Sequence, residues 1–382
     1  MRFIDLCCGI GGFHQALKSL GFECVMASDI DKECRRNYLE NYGIEPRGDF
    51  TRLDISSIPA FDILCAGFPC QPFSKAGDRK GFNDARGNLF FDICRIIDYH
   101  KPAYILLENV RNLATHDHGN TWAVIKDTLV ELNYHIYEKP LILNTLFFGI
   151  PQNRERVVIL CKRRDLGPLP ALPKMPKKKC AGLESILEDV VDDKYRLTGK
   201  LKIAEAVWQE FIDLCRANQI TIPRFPLWTD WWDRDTVDNP KYQNWIDKNR
   251  AFYAQSPHIW DAWLKKARAQ PLWVGAMRKM EWQVSSSNLN MNEVLWTARG
   301  SGIRIKKTDY SPTLVAMSMI PIYGPQSRML TPRECARLQS FPEDYIIHSN
   351  EKIAYRQFGN AVNVKMIEQC ARFLICGEPL FP

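Results

Sequence analysis

No run of uncharged apolar residues approaches the roughly 18 that a membrane-spanning helix needs, and the opening residues lack the basic-then-apolar layout of a signal peptide. A cytosolic protein without membrane attachment is expected. No C-x-x-C pair occurs among the 13 cysteines, and the adjacent Cys7 and Cys8 cannot send both sulfurs to one side of a strand. A zinc or other metal site is therefore not expected. The cysteines are odd in number, dispersed and mostly within apolar runs, which speaks for reduced thiols and against a disulfide framework. Internal repeats and low-complexity tracts are absent. The glycine-rich turn near the N-terminus lacks the G-x-G-x-x-G spacing, which disfavours a nicotinamide cofactor. No histidine stands in a motif that would activate a cysteine, so a thiol hydrolase would lack its base.

What is present is a chain of 382 residues, 46% hydrophobic, long enough for two or three domains with full cores. Most of its net charge of +7 lies in residues 166–327, where 23 lysines and arginines meet 17 acids. Ten of the 11 tryptophans lie there too, from Trp208 to Trp296. A basic, aromatic-rich segment fits nucleic-acid binding through phosphate neutralisation and stacking. It fits equally well a small domain with a tryptophan core and a solvated basic face.

Along residues 1–163, short apolar runs alternate with helical patterns. Strands are expected at Arg2–Leu6, Glu23–Ala27, Phe61–Cys65, Tyr104–Leu107, Tyr134–Tyr137 and Arg156–Cys161. Helices are expected at Gly12–Leu20, Asp31–Asn41, Asn88–Tyr99 and Thr121–Leu132. This alternation implies an α/β fold with a doubly wound, mostly parallel sheet. Residues 164–180, with Pro168, Pro170, Pro173, Pro176 and the run Lys177-Lys178-Lys179, read as a linker. A second, smaller domain of mixed pattern is expected over 181–327. Residues 328–382 return to helices, at Thr331–Ser340 and Asn360–Cys376.

Chemistry concentrates where the Phe61–Cys65 strand breaks into Gly67-Phe68-Pro69-Cys70-Gln71-Pro72. The two prolines fix φ and remove donors, so Cys70 sits on a stiff turn just past a strand end, where α/β proteins place reactive groups. A second strand ends in Glu108-Asn109-Val110. A thiol and a carboxylate at neighbouring strand ends suggest a nucleophile with an acid beside it.

These residues resemble the catalytic motifs of the cytosine-5 DNA methyltransferases. Gln152-Asn153-Arg154-Glu155-Arg156 is similar to that family's Q-x-R-x-R motif, and Asp5-Leu6-Cys7-Cys8-Gly9-Ile10-Gly11-Gly12-Phe13 to its cofactor loop. Arg333-Glu334-Cys335-Ala336-Arg337-Leu338-Gln339 and Gln357-Phe358-Gly359-Asn360-Ala361-Val362 match as well. The resemblance covers roughly residues 1–163 and 328–376. It implies a Rossmann-like methyltransferase: a catalytic and cofactor-binding domain over 1–163, a target-recognition domain over 181–327, and a C-terminal segment whose last helix packs back onto the first domain.

The resemblance further implies S-adenosylmethionine as cofactor. Its contacts would be Asp5, Cys7, Gly9, Gly11 and Gly12 on the first loop, and Asp29 with Ile30 at the ribose. Asp49 with Phe50 would sit at the adenine; Gly67, Pro69, Leu89, Asn360 and Ala361 would complete the set. Two departures stand out: Asp29 stands where the family usually has Glu, and Cys7 where it commonly has Phe. Cys70 would attack C6 of cytosine. Glu108 would serve N3 as a neutral acid, which requires a raised pKa. Arg154 would sit at the cytosine O2, beside Arg156; the plainer alternative for Arg154 is a surface ion pair with Glu155. The cytosine must leave the duplex to reach the crevice. In a 3-2-1-4-5 sheet that crevice opens between the first strand and the Phe61–Cys65 strand.

Gln71, Ser74, Arg299, Arg304, Lys306, Lys307 and Thr313 are the expected DNA contacts, with Arg299 and Arg304 as candidate base readers. The reading that follows is a monomeric bacterial-type enzyme of the cytosol. It would methylate cytosine within a specific short site in double-stranded DNA, paired with a restriction endonuclease. A transfer-RNA methyltransferase would carry a Cys-Phe-Thr signature, which is missing, and a non-catalytic DNA-binding module would not need Cys70, Glu108 and Arg154 together.

Overall fold

The computed structural model describes residues 1–69, 89–177, 180–232, 240–284, 288–316 and 319–382. The chain forms two compact units. The first joins Met1–Ile186 to Pro332–Pro382, and the second is Leu187–Thr331.

The first unit begins with β1 (Arg2–Leu6), α1 (Gly12–Lys18), β2 (Glu23–Ser28) and α2 (Lys32–Tyr42). There follow β3 (Ile63–Gly67), α3 (Leu89–His100), β4 (Tyr104–Val110), α4 (Asn120–Glu131), β5 (Tyr134–Ile136), β6 (Leu141–Asn144), β7 (Gln152–Asn153) and β8 (Glu155–Arg163). The sheet runs β2-β1-β3-β4-β8-β5, with β6 also on β8. Strands β2, β1, β3 and β4 are mutually parallel, and β8 is antiparallel to β4. Near-continuous apolar sequence explains this: Phe3, Ile4, Ile63, Leu64, Ile105 and Leu106 are all fully buried, as strands covered on both faces require. Helix α3 buries Phe90, Ile93, Cys94 and Ile97, the i, i+3, i+4, i+7 stripe of a surface helix.

A 3-2-1-4-5 order calls for a strand outside β2, for which the sequence offered no candidate run; the structure has a parallel bridge between Ser28 and Arg47 there. Pro46 has no N–H to continue a ladder, and Asp49 turns the chain by accepting from the Thr51 amide at 3.0 Å. The adjacency that matters is kept, because β1 lies directly beside β3.

The second unit contains α5 (Gly199–Ala217), β9 (Leu227–Trp228), α6 (Gln243–Tyr253), α7 (Pro257–Arg268), β10 (Lys279–Trp282), β11 (Leu295–Arg299), β12 (Gly302–Lys306), β13 (Ser311–Pro312), β14 (Ile322–Tyr323) and β15 (Arg328–Met329). Its sheet is ordered β15-β14-β11-β12-β10-β9. Met280, Trp282, Trp296, Ile303 and Ile305 alternate onto one face and pack in a single core with Trp208, Phe211, Trp260 and Trp263. Seven tryptophans lie in that core, so they are packing residues rather than a stacking platform. The chain returns to the first unit through α8 (Pro332–Leu338), α9 (Glu351–Asn360) and α10 (Val364–Ala371), and α10 packs on α1.

The core tryptophans differ in one respect that can be measured. The Trp208 indole N–H donates to the Met277 carbonyl at 2.9 Å, whereas that of Trp260 has no partner among the described residues. Trp208→Phe leaves a buried carbonyl unpaired, a loss of about 1–3 kcal/mol beyond the lost ring volume, while Trp260→Phe removes an unsatisfied donor. Urea unfolding should therefore find Trp208→Phe the more damaging; equal midpoints would count against this account.

Candidate active site

Because β1, β2, β3 and β4 are parallel, their carboxyl ends deliver four loops to one edge of the sheet. These loops enclose a cavity of about 400 Å³ in the first unit. Its walls include Cys7–Ile10 and Gly12, Ser28–Asp31, Gly48–Phe50, Gly67–Pro69, Glu108–Val110, Arg154, Arg156 and the Gly359–Val362 segment.

One end is built on the loop after β1. Gly11 has φ +83, and a Cβ there would lie 2.3 Å from the Tyr42 ring; a Cβ on Gly12 would lie 2.5 Å from the Val362 carbonyl oxygen. Glycine is thus required where the loop meets α2 and the C-terminal segment. Hydroxyls hold the loop from behind: Tyr345 donates to the Ile10 carbonyl at 2.9 Å and Tyr42 to the Gly11 carbonyl at 3.1 Å. Asp29 accepts from the Gly9 amide and the Asp31 amide, each at 2.8 Å. Burial raises its pKa, opposed by those two hydrogen bonds. Beside it Ile30 is 76% exposed, an apolar side chain with nothing on it. Burial, and then the carboxylates of Asp29, Asp5 and Asp49, push the Cys7 thiol up to about 12; burial pushes Cys34 to about 12 and also raises Cys8. All three line the cavity as packing thiols, far from thiolate chemistry.

The other end is built on β3, β4 and the residues around β8. Glu108 and Arg156 are both largely buried, with Nε 2.9 Å from the carboxylate oxygen. Burial raises the Glu108 pKa, opposed by Arg156 and then Arg154. Asn109 staples the two strand ends: its side-chain amide donates to the Phe68 carbonyl at 2.8 Å. That contact fixes the backbone one residue before Pro69. Arg154 is 1% exposed and donates to the carbonyls of Gly359, at 3.2 Å, and Ala361, at 2.8 Å. It is no surface pair with Glu155, whose carboxylate lies 3.2 Å from Arg111.

The helix expected from Asn360 begins only at Val364, and an unexpected helix, α9, ends at Asn360. Asn360 ends α9, Ala361 is extended, and the Asn363 side chain caps α10 by accepting from the Met366 amide at 3.0 Å. The break exposes the two carbonyls that Arg154 takes.

Of the residues expected here, Cys7, Gly9, Gly12, Asp29, Ile30, Asp49, Phe50, Gly67, Pro69, Leu89, Glu108, Arg154, Arg156, Asn360 and Ala361 all line the cavity. Asp5 and Gly11 do not; Asp5 is fully buried on β1, where burial and then Asp29 raise its pKa. Cys70, Gln71 and Ser74 lie outside the described residues, Cys70 directly following Pro69 in the chain. Asp31 also lines the cavity and was not expected there, as do Gln357 and Val362, which belong to the quoted C-terminal motif but were not among the expected contacts. Asp31 had a signal, since its side chain caps α2 through the Glu33 and Cys34 amides.

In the second unit, taken by itself, Arg299, Arg304 and Lys306 share the polar face of the sheet, opposite the tryptophan core. Burial and then Arg304 lower the pKa of Arg299, and burial, Arg304 and Arg299 lower that of Lys306. Lys307 is exposed past the end of β12, and Thr313 follows β13.

A family model for C-5 cytosine-specific DNA methylases matches residues 1–376. The chain belongs to this family. It is 33% identical to the Type II methyltransferase M.HhaI of Haemophilus parahaemolyticus, over 97% of this chain and 93% of that protein. It is 47% identical to the Type II methyltransferase M.HaeII of Haemophilus aegyptius over a shorter stretch, 53% of this chain and 62% of that one. The fold is similar to that of the Dnmt2 methyltransferase of S. pombe, with a TM-score of 0.54 and 20% identity over 99% of each chain. This methylase is thus an enzyme acting at C5 of cytosine in DNA, in a family that generally depends on S-adenosylmethionine. Among the described residues no helix is long and apolar enough to cross a membrane, and no His, Cys, Asp or Glu cluster could hold a metal.

The raised carboxyl of Glu108 has a consequence for stability. The folded chain binds this proton more tightly than the unfolded chain does, so the contribution is complete below the ordinary pKa of about 4.3 and is lost as pH rises through the higher folded value. Glu108→Gln removes the titration. Relative to wild type, the variant's urea midpoint should improve as pH rises from about 4 to about 8. A difference independent of pH would show that the carboxyl is not held up.

Proposed function

We propose that this methylase transfers a methyl group from S-adenosylmethionine to C5 of a cytosine flipped out of a specific double-stranded DNA sequence, with Cys70 as nucleophile. The observation that carries the reading is the Glu108–Arg156 pair, buried at one end of a cavity whose other end is the glycine loop with Asp29. C5 of cytosine is a poor nucleophile within its aromatic ring. Addition of the Cys70 thiolate at C6 breaks that aromaticity and pushes electron density into the ring at N3, to which Glu108, in its protonated form, donates a hydrogen bond. Arg156 fixes the direction of the carboxyl, and Arg154 adds buried positive charge near the same wall. Loss of the C5 proton then lets the thiolate leave.

The residues present fit the cofactor. Ile30 offers an open apolar face and Phe50 an aromatic wall to a flat base, Asp29 and Asp49 offer carboxylates, and the glycine loop admits close backbone approach. When bound, S-adenosylmethionine supplies the methyl group carried on its sulfonium. On the second unit's sheet face Arg299 and Lys306, with Lys307 beside them, suit a polyanion that relieves their mutual repulsion. Pairing with a restriction endonuclease, in the bacterial cytosol, fits the Type II relatives.

Cys70→Ser should abolish methyl transfer while leaving DNA binding measurable, because an alcohol is far weaker toward C6. DNA carrying 5-fluorocytosine should trap a complex that survives denaturation, since fluorine cannot leave as a cation. Normal turnover by the serine variant, or no trapped band from active wild type, would remove Cys70 from the mechanism. Asp29→Ala should raise the apparent constant for S-adenosylmethionine more than that for DNA; an unchanged cofactor constant would restrict Asp29 to shaping the loop.

A further inference from the structure

On the polar face of the second unit's sheet, Glu281 of β10 is the register partner of Arg304 on β12. The pair is made at two points: Arg304 Nε lies 2.8 Å and Nη2 3.2 Å from the two carboxylate oxygens of Glu281. Gln283 Nε2 also donates to that carboxylate, at 3.0 Å. The acid is therefore held from two sides, and the strands carrying it are pinned from below by Met280, Trp282, Ile303 and Ile305. The central strands present Lys279, Thr297, Arg299, Arg304 and Lys306 on this face, with Glu281 their one acid.

An arginine whose charge is already balanced gains little from neutralising a phosphate, because counterion release scales with uncompensated charge. A carboxylate beside it repels phosphate further. What the pair retains is direction. With Nε and one Nη2 hydrogen committed to Glu281, Arg304 keeps the Nη1–Nη2 edge, two parallel donors matched to O6 and N7 of guanine. Nη1 makes no hydrogen bond among the described residues, and the side chain is 31% exposed.

We infer that Glu281 determines target specificity by orienting Arg304 to read one guanine in the major groove, while Arg299, Lys306 and Lys307, cations with no ion pair among the described residues, hold phosphates. The inference rests on the DNA-methylating reading above.

The test uses the full-length enzyme and DNA from a host free of cytosine methylation, with the modified sites mapped by bisulfite sequencing. Binding is measured in parallel as a function of salt. Wild type should define one short motif containing a G·C pair. Glu281→Gln and Arg304→Ala should each relax the same G·C position, by about 5- to 150-fold in preference, and the double variant should be no more relaxed than either. Glu281→Gln should also steepen the salt dependence by about 0.9 in log–log slope, because the freed Arg304 becomes a phosphate ligand. Arg304→Ala should leave the slope unchanged. An unaltered motif in both variants, or uniform loss of affinity on every sequence, overturns the inference. A wild-type enzyme that binds DNA but leaves no 5-methylcytosine overturns the underlying reading along with it.

Discussion

Arg154 carries a guanidinium into a region with almost no solvent, 1% exposed, and commits two of its nitrogens to main-chain carbonyls more than 200 residues away. Burial of such a charge is tolerable only where acceptors are fixed around it. The acceptors exist because the helix stops at Asn360 and resumes at Val364, leaving the carbonyls of Gly359 and Ala361 without helical partners. Each side thus satisfies the other: the break would leave orphaned acceptors without the arginine, and the arginine would be a stranded charge without the break. The same segment brings Val362 against Gly12 and Gly67, so the glycine loop, the end of β3 and the approach to β8 are registered by one contact.

The electrostatics of the cavity follow. Glu108 faces Arg156 directly and Arg154 behind it, one acid against two cations at that end, whereas Asp29, Asp31 and Asp49 line the opposite end. A cavity polarised in this way holds a cation at one end and stabilises developing negative charge at the other. It also explains why the wall cysteines are inert. Cys7, Cys8 and Cys34 sit at the acidic end, where burial and carboxylates both disfavour a thiolate.

Much of this was legible in the chain because the signals are local. β1 runs over Arg2–Leu6 as the apolar run indicated, and Glu108 lies at the end of β4, where a carboxylate after buried apolar residues must find a partner. Outside β2 the sequence offered no strand to read, and the structure agrees in having only a bridge at Arg47, between Pro46 and the Asp49 turn. The α9–α10 break escaped because Asn-Ala-Val-Asn reads as helix unless one knows that Arg154 waits for two carbonyls. The tryptophans were ambiguous, since composition does not record which face of a strand a side chain takes. Glu281 was invisible for a related reason: its pairing with Arg304 depends on β10 lying parallel to β12, a non-local fact.

The contact of Gly12 with Val362 has a consequence in time. Ribosomes add roughly 5–20 residues per second, so about 20–70 s separate the synthesis of these two positions. For the later part of that interval the nascent chain holds the glycine loop and the strand ends without the segment that completes the wall. The cavity cannot be completed until the chain has been made past Val362. A truncated product ending between Arg163 and the second unit's close would carry every strand of the first sheet and still lack a finished cavity. The fold thereby makes synthesis of the chain through Val362 a condition of modifying DNA.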